Sequence, residues 1–484
     1  MSTVTIQPIS RRGFLELALA ASAGVAWASE NSPGASRRPN IVFILADDLG
    51  IHDVSCYGQS RFQTPHIDRM ASEGMRFTDA YAGAPVCGPT RSTLMTGLNT
   101  GHTRVRANFA LAEGHVGYKG KEQIRRANLL PEDRTVADLM RRSGYHTGLI
   151  GKWHLDGYDP DATPVEHGFD EFQGWLTSNG KSQGYFPVER YDGKKVRRIA
   201  ENEQDRHGLY ETEMCIEEAS DFIRRNAEAP FFLYLAFNNP HSPYVTPPLG
   251  SAAGEPWTRD EKIYASMVEF MDQGVGAVMR TLKETGLDED TIIFFASDNG
   301  PRSEPTKQQT EVVNFFNSNG IYRGYKRDLY EGGIREPFIV RWPGKIAAGS
   351  ESHEPVYFPD FLPTAVQIAQ GPAADKTDGA DLMPILRQRT KHLGERFIYW
   401  ETYEPEFRQA VRWGKWKAVR LKLGGPLELY NLEADVSEKH EVAALNPLVV
   451  RRIEEYLRTA HTDSPEYPVY RMASPAAALL NEEE

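Results

Sequence analysis

Four apolar runs of strand length are spaced along the chain, and each ends in polar side chains that can bind a metal or carry a proton. Helical patterns separate these runs, which predicts an α/β fold with a mostly parallel sheet flanked by helices. In open α/β sheets the site lies outside the carboxyl ends of the strands. We therefore expect the residues that follow runs 40–46, 147–150, 230–237 and 291–296 to converge on one site: Asp47, Asp48, Lys152, His154, His241, Asp298 and Asn299.

Some of these residues have a simpler explanation when each is taken alone. Asp47 and Asp48 are adjacent carboxylates that repel each other, and a hard cation would relieve the repulsion. A solvated acidic turn accounts for the pair equally well. A lone histidine such as His154 or His241 is most often an ordinary core or surface residue. The repetition at four strand ends is what favours a functional site.

A cysteine stands near the predicted start of a helix, in Cys87-Gly88-Pro89-Thr90-Arg91. Proline commonly starts helices, and Arg91 falls within the first turn. Unpaired backbone N–H groups and the positive end of the helix dipole favour an anion at this position. The residues therefore indicate a thiol of low pKa beside a basic side chain. The alternative is a small buried cysteine next to a solvent-facing arginine.

Two further regions follow the fourth run. A glycine-rich basic loop at 323–337 leads into a fifth strand at 338–340, and its Lys326 is either a site cation or a solvated loop charge. From about 396, short aromatic strands separated by turns predict a small antiparallel sheet, followed by a helix at 447–459 and an acidic tail. We expect a main domain at 39–395 and a C-terminal subdomain at 396–484.

The first 28 residues are typical of an export signal. Ser10-Arg11-Arg12-Gly13-Phe14-Leu15 resembles a twin-arginine signal, and Ala26-Trp27-Ala28 is a small-x-small cleavage site. The apolar run between them is shorter than the roughly 20 residues that a membrane span needs, and no later segment is long and apolar enough. We expect an exported protein, periplasmic or extracellular, with no membrane span and with a flexible linker at 29–38.

The chain of 484 residues is acidic, with 55 Lys and Arg against 67 Asp and Glu and a formal net charge of −12. This balance argues against broad nucleic-acid binding, because neutralising phosphates requires clustered Lys and Arg. An anionic substrate would need a local basic pocket. Three cysteines cannot form a dense disulfide framework; a Cys56–Cys215 bridge is possible, but two buried free thiols are the favoured interpretation.

The run from Cys87 to Gly97 resembles the signature of the formylglycine-dependent sulfatases, C-x-P-[S/T]-R with a Thr-Gly ending. In that family a formylglycine-generating enzyme oxidises the cysteine to an aldehyde, 3-oxoalanine, so Cys87 would be the precursor of the nucleophile. The resemblance extends from about 39 to 342, with further motifs in the same order. It implies an alkaline-phosphatase-like fold and makes the main domain catalytic.

The resemblance also implies a metal site. Asp47, Asp48, Asp298 and Asn299 would hold one Ca²⁺ through their oxygens, a sensible donor set for a hard cation. The metal would also touch the sulfate and the modified Cys87.

The same resemblance implies catalytic roles. Arg91 and Lys152 would hold the aldehyde hydrate and neutralise its charge. One hydroxyl of the hydrate attacks sulfur while His241 or Lys326 protonates the leaving alcohol. His154 then takes a proton from the second hydroxyl, and elimination of sulfate restores the aldehyde.

The likeness within the family is to bacterial relatives of arylsulfatase A and N-acetylgalactosamine-6-sulfatase, which indicates a sulfated carbohydrate as the substrate. Segments 108–128, 177–207 and 302–319 are interpreted as loops that surround the pocket and set specificity.

Two other functions remain open. One is a phosphate or phosphonate monoester hydrolase on the same fold, because a tetrahedral anion beside Ca²⁺ fits either ester. The other is an exported protein with an unmodified Cys87 that binds a sulfated glycan without cleaving it. The signature at Cys87 and the filled catalytic positions favour the sulfatase.

Overall fold

The computed structural model of the protein describes residues 37–469 except 120, 247 and 305. The predicted export signal at 1–28 and nearly all of the linker lie outside the described residues, as does the end of the acidic tail. Among the helices of the described part, none is both long enough and apolar enough to cross a membrane.

The described strands and helices agree with most of the predicted elements, with small shifts at their ends. The strands are β1 (Asn40–Asp47), β2 (Met75–Phe77), β3 (Ala80–Tyr81), β4 (His115–Lys119), β5 (Glu122–Arg126), β6 (His146–Lys152), β7 (Glu171–Trp175), β8 (Glu189–Asp192), β9 (Lys195–Arg198), β10 (Phe231–Pro240), β11 (Thr291–Ser297), β12 (Phe338–Arg341), β13 (Ser350–Ser352), β14 (Val356–Tyr357), β15 (Phe397–Thr402), β16 (Arg408–Trp413), β17 (Trp416–Arg420) and β18 (Glu428–Asn431). The helices are α1 (Pro65–Ser72), α2 (Cys87–Thr96), α3 (Val136–Arg142), α4 (Glu211–Arg225), α5 (Arg259–Glu284), α6 (Lys307–Phe316), α7 (Glu331–Ile334), α8 (Phe361–Ala369), α9 (Met383–Leu386) and α10 (Pro447–Leu457).

Ten strands form one large sheet in the order β13-β2-β12-β11-β1-β10-β6-β7-β8-β9. The five central strands, β11-β1-β10-β6-β7, are parallel to one another. Among the described strands of this sheet, the antiparallel pairs lie towards the two flanks, where β12 joins β11 and β2, and β8 joins β7 and β9. The predicted mostly parallel sheet is confirmed.

The centre of the sheet is covered on both faces. β1 and β10 are buried along their whole length, and successive side chains alternate between the faces. On one face Phe43 packs against Phe361 of α8, with ring centroids 4.6 Å apart. On the other face Val42 belongs to the apolar core that includes Tyr264 of α5. Burial on both sides explains the continuous apolar runs and holds the strand ends in place.

The predicted C-terminal sheet is present as the four antiparallel strands β15–β18, with α10 packed on it. Buried polar contacts join it to the rest: Lys417 of β17 is 2.8 Å from Glu331 of α7, and Trp400 donates to the carbonyl of Ala82. The described residues from Arg38 onward belong to one compact unit. The division at 395/396 stays a prediction.

The three cysteines are free thiols. Cys56 is half-buried, whereas Cys87 and Cys215 are buried. The preference for free thiols over a Cys56–Cys215 bridge is confirmed.

Three segments interpreted as loops contain regular structure. Segment 108–128 holds the hairpin β4–β5, segment 177–207 holds the hairpin β8–β9, and segment 302–319 holds α6. The interpretation as plain loops was wrong because exposed strands lack the apolar runs that mark buried ones; β9 is exposed along its whole length. Helix α6 did have a sequence signal, the capping box formed by Thr306 and Gln309.

Candidate active site

The carboxyl ends of four neighbouring strands meet at one edge of the sheet. Asp47 at the end of β1 lies beside Pro240 of β10, and Ala46 lies beside Ser297 of β11. β6 continues the row on the far side of β10. The polar residues after these strands are therefore brought together at one place.

Helix α2 reaches this edge through its first residues. The helix begins at Cys87, and all ten of its residues are buried. The Arg91 guanidinium donates to Asp298 Oδ2 at 2.7 Å and to the carbonyl of Lys152 at 3.1 Å. Arg91 thus connects the helix to two strand ends, and the interpretation of a solvent-facing arginine is wrong.

The Cys87 thiol lies among charged side chains. Its Sγ donates to Asp47 Oδ1 at 3.3 Å and is 3.1 Å from Lys326 Nζ. Burial raises the pKa of Cys87, and the carboxylates of Asp298 and Asp47 raise it further. The predicted low pKa is therefore wrong, because burial and these carboxylates outweigh the helix end and the lysines. Unmodified Cys87 is a protonated thiol and a poor nucleophile.

Two buried lysine–aspartate pairs form the floor of the site. Lys152 Nζ contacts Asp47 Oδ2, and Lys326 Nζ contacts Asp48 Oδ1. Burial opposes ionisation of both carboxyls, but the positive charges around them hold the pKa of Asp47 well below its usual value and lower that of Asp48. Asp298 differs, since burial and the charge of Asp47 raise its pKa to about 6.

Buried oxygens without a partner indicate that this floor is built for a ligand. Asp48 Oδ2 and Asn299 Oδ1 have no hydrogen-bond partner in the described structure. The other polar atom of Asn299, Nδ2, donates to Asp48 Oδ1 at 2.7 Å. An unsatisfied buried polar atom costs about 1–3 kcal/mol. Carboxylate and amide oxygens are the donors that a hard cation such as Ca²⁺ prefers, so the residues present fit such an ion.

The ligand atoms of Asp47, Asp48, Cys87 and His241 all lie within 4.8 Å of one another. This cluster contains three of the five residues expected around the metal and adds His241. Asp298 is already engaged, because its Oδ1 accepts from the Asp48 backbone N–H at 3.2 Å and its Oδ2 accepts from a guanidinium. Asp48 also has a left-handed φ of 65°, a conformation that is uncommon for non-glycine residues and that Asp and Asn adopt more often than others.

His241 lies beside the aspartates. Its Nδ1 donates to the Ser242 carbonyl at 2.5 Å, which leaves Nε2, 3.6 Å from Asp48 Oδ2, as the nitrogen that faces the site. Burial lowers the pKa of His241 to about 4.

His154 lies two residues after β6, with a left-handed φ of 61°. Burial, together with Lys152 and Arg126, lowers its pKa well below the usual value. Arg126 of β5 is 3.1 Å from His154 Nε2, and because an arginine can only donate, the proton of the neutral ring lies on Nδ1. That Nδ1 is buried and has no partner among the described residues.

A cavity of about 310 Å³ has Cys87 in its lining. We call it the site cavity. Five basic residues and one acidic residue line it: Arg126, Lys152, Arg302, Lys326 and Arg327, and Glu404. Lys152 and Lys326 are paired with Asp47 and Asp48, and Arg327 is 3.5 Å from Glu404, so the excess positive charge comes mainly from Arg126 and Arg302. It gives an otherwise acidic protein the local basic pocket that an anionic substrate requires.

Several lining residues of the site cavity were not predicted individually. Most lie in the three segments expected to surround the pocket: Asn108, Phe109, Ile124, Arg126, Thr177, Gln183 and Arg302. Trp175 at the end of β7, whose ring is 5.3 Å from Lys152 Nζ, and Glu404 were missed altogether. Neither stands next to a motif, and no sequence signal marked them.

Two family models match the chain. Residues 39–371 match the family described as Sulfatase, and residues 320–460 match the family described as N-sulphoglucosamine sulphohydrolase, C-terminal. The first match alone spans more than half of the chain.

Individual proteins are similar over most of their length. Steryl-sulfatase of Mus musculus is 32% identical over 85% of this chain and 75% of its own length. N-acetylgalactosamine-6-sulfatase of Rattus norvegicus is 33% identical over 80% of this chain and 72% of its own. The crystal structure of Ps i-CgsB in complex with k-i-k-neocarrahexaose superposes with a TM-score of 0.75 and 27% identity, covering 92% of this chain and all of that one.

Proposed function

The chain belongs to the sulfatase family, and from that premise we propose that it hydrolyses the sulfate monoester of a carbohydrate, with a nucleophile made from Cys87 and a calcium ion beside it. One observation carries the proposal: Cys87 lies at the buried floor of a cavity lined by five basic side chains and one acidic side chain. A sulfate monoester carries one negative charge, which such a cavity attracts.

Different residues of the floor are placed for substrate binding and for proton transfer. Lys326, which contacts both Asp48 and Cys87, and Lys152 are placed to neutralise the oxygens of a bound sulfate. Arg91 holds the start of α2 against Asp298 and so fixes the position of residue 87. We assign protonation of the leaving alcohol to Lys326 Nζ or His241 Nε2. Lys326 carries its proton already, whereas His241 Nε2, the unprotonated nitrogen of a ring whose pKa is lowered to about 4, would first have to take one up.

We assign the role of base to His154. Its Nε2 accepts a hydrogen bond from Arg126, so taking up a proton there requires Arg126 to release this nitrogen. Burial keeps the imidazole neutral at neutral pH, which is the form that a base needs.

Asp47, Asp48, Asp298 and Asn299 would hold the calcium ion next to residue 87. Asp48 Oδ2 and Asn299 Oδ1 have no hydrogen-bond partner among the described residues, whereas Asp47 and Asp298 would keep or exchange the contacts that they make with neighbouring donors. When present, the formylglycine hydrate supplies the attacking hydroxyl and Ca²⁺ supplies positive charge next to the sulfate oxygens. We propose that a formylglycine-generating enzyme modifies Cys87 and that the predicted twin-arginine signal exports the protein.

The carbohydrate assignment is supported by the relatives. One is an N-acetylgalactosamine-6-sulfatase, and Ps i-CgsB was crystallised with a neocarrahexaose. Steryl-sulfatase is also a relative, so experiment must decide whether the alcohol that carries the sulfate is a sugar or a sterol.

The test compares an aryl sulfate, an aryl phosphate and an aryl phosphonate as substrates of the protein made in a host that produces formylglycine. We expect kcat/KM to be highest for the sulfate. Faster cleavage of the phosphate or phosphonate would overturn the sulfate assignment. Calcium-dependent binding of a sulfated glycan without turnover of any ester would favour the glycan-binding alternative.

A further inference from the structure

A second cavity, of about 520 Å³, adjoins the site cavity. We call it the outer cavity. The two share part of their lining, namely Phe109, Ile124, Lys326, Arg327 and Glu404. Ligand sites usually measure about 300–1,000 Å³, so each cavity is large enough to hold a chemical group of its own. A substrate seated in the site cavity can therefore extend directly into the outer one.

Strand β5 of the inserted hairpin lines both cavities. Gln123 and Arg125 line only the outer cavity, Arg126 lines only the site cavity, and Ile124 lines both. Glu122 also lines the outer cavity, so β5 runs along the outer cavity from Glu122 to Arg125 and reaches the site cavity at its end. One rigid element thus sets the distance between whatever occupies the two cavities.

The two cavities differ in charge. The outer cavity has eight charged residues among the sixteen that line it, four of each sign. Several of them pair with each other: Arg327 is 3.5 Å from Glu404, and Arg408 is 3.7 Å from Asp328. Balanced pairs create little net potential but offer both donors and acceptors of hydrogen bonds.

This lining disfavours two kinds of occupant. A second sulfate would find no excess of positive charge, unlike in the site cavity. A rigid apolar alcohol such as a sterol would exclude water from these ion pairs without replacing the hydrogen bonds that their remaining donors and acceptors make with it, which is costly. A neutral group rich in hydroxyls satisfies both donors and acceptors, while Phe109 and Tyr325 provide apolar surface for the faces of a sugar ring.

On the basis of the proposed function, we propose that the substrate is a sulfated saccharide of at least two units, with the sulfate ester in the site cavity and the neighbouring unsulfated sugar in the outer cavity. Binding energy from the second sugar then contributes to turnover at the sulfated one. The outer cavity, rather than the floor, selects the saccharide.

The experiment uses the full enzyme carrying the aldehyde at residue 87. The probes are 4-nitrophenyl sulfate, a steryl sulfate, and monosulfated galactose, N-acetylgalactosamine and N-acetylglucosamine, each as a monosaccharide and as one unit of a disaccharide. For the sugar that is cleaved, we expect kcat/KM to be at least about tenfold higher for the disaccharide than for the monosaccharide.

Two variants test the location of the second sugar. Gln123→Trp places bulk in the outer cavity, and Arg125→Ala removes a donor; both side chains are exposed on β5, so folding should survive. We expect each to lower the ratio of disaccharide to monosaccharide kcat/KM by about fivefold or more. Lys121→Ala, exposed on the same hairpin but outside both linings, is the matched control and should keep the wild-type ratio.

The outcomes separate this inference from the proposed function. If 4-nitrophenyl sulfate is cleaved but no disaccharide is preferred to its monosaccharide, or the steryl sulfate is preferred to every sugar, the inference is wrong and the sulfatase stands. A preference that Gln123→Trp and Arg125→Ala leave intact also overturns it. If no sulfate ester is cleaved, the proposed function fails and the inference falls with it.

Discussion

The floor of the site cavity and its rim are carried by different parts of the fold. The floor consists of buried side chains at strand ends and at the start of α2, such as Asp47, Cys87 and Lys152. The rim consists of half-buried side chains on inserted segments, such as Arg126 of β5 and Arg302 before α6. The floor is rigid because a sheet covered on both faces holds it, whereas the rim can change without disturbing that sheet.

This difference indicates a division of function. Chemistry that needs fixed charges within hydrogen-bond distance belongs to the floor. Selection among alcohols belongs to the rim and the outer cavity, where the lining mixes charges and apolar groups. Substitutions in the floor should therefore lower kcat by large factors, whereas substitutions in the rim should have smaller effects, mainly on KM.

The largest effect is expected at Cys87. Cys87→Ala removes the precursor of the nucleophile, so kcat/KM for an aryl sulfate should fall by at least about 10⁴-fold. The matched control is Cys56→Ala, a half-buried free thiol outside the site, which should retain activity within about twofold. An equal loss of kcat/KM in the two variants would mean that Cys87 is not the precursor of the nucleophile.

The next effect is expected at Lys326, which is buried against Asp48 and Cys87. Lys326→Ala should lower kcat by about 10²–10³-fold, because it removes a preorganised charge from the reacting centre. Lys307→Ala is the control, since that lysine lies on α6 with 89% of its side chain exposed. If KM rises in the Lys326 variant while kcat is unchanged, this lysine contributes only to substrate binding, as we expect of a rim residue.

A smaller effect of a different kind is expected at Arg302. Arg302→Ala takes one of five positive charges from the site cavity, so KM for an aryl sulfate should rise about three- to tenfold with little change of kcat. Arg198→Ala, 75% exposed on β9, should leave KM unchanged. If kcat falls instead, the division between floor and rim does not hold.

The smallest effect on activity is expected at the joint between the C-terminal sheet and the loop that carries Lys326. Burial raises the pKa of Glu438 to about 7, although Lys417 opposes this, and Glu438 Oε2 accepts from the Glu331 backbone N–H. A carboxyl whose pKa is raised on folding stabilises the fold fully below its unfolded pKa, and this contribution is lost as pH rises through about 7.

Wild-type stability should therefore decline between pH 5 and 8 relative to the Glu438→Gln variant, by on the order of 2 kcal/mol. The readout is the melting temperature at a series of pH values, with Glu433→Gln, an exposed neighbour, as the control. Parallel curves for wild type and Glu438→Gln would contradict a raised pKa. Turnover of an aryl sulfate at pH 7 should be the same in all three proteins within about twofold.

The same division explains what the sequence could predict. The floor follows from a simple rule, since buried parallel strands appear as continuous apolar runs and the residues after them share one edge. Asp47, Lys152 and Asn299 were found in this way. Residue 87 was found because its helix start carries a recognisable motif.

The rim could not be predicted to the same extent. The hairpin β4–β5 is half-exposed and has no apolar run, so Arg126 and its contact with His154 had no signal in the sequence. The pKa of Cys87 was also predicted in the wrong direction. A helix end can be seen in the sequence, but the carboxylates that distant strands bring beside the thiol cannot.

The most direct measurement is peptide mass spectrometry across residue 87 in protein from its native host or from a host that makes formylglycine. We expect the aldehyde in place of the thiol, because a buried, protonated cysteine beside Asp47 is a poor nucleophile. An unmodified Cys87 in the native host would contradict the proposed nucleophile and leave the binding of a sulfated glycan as the better explanation of the site.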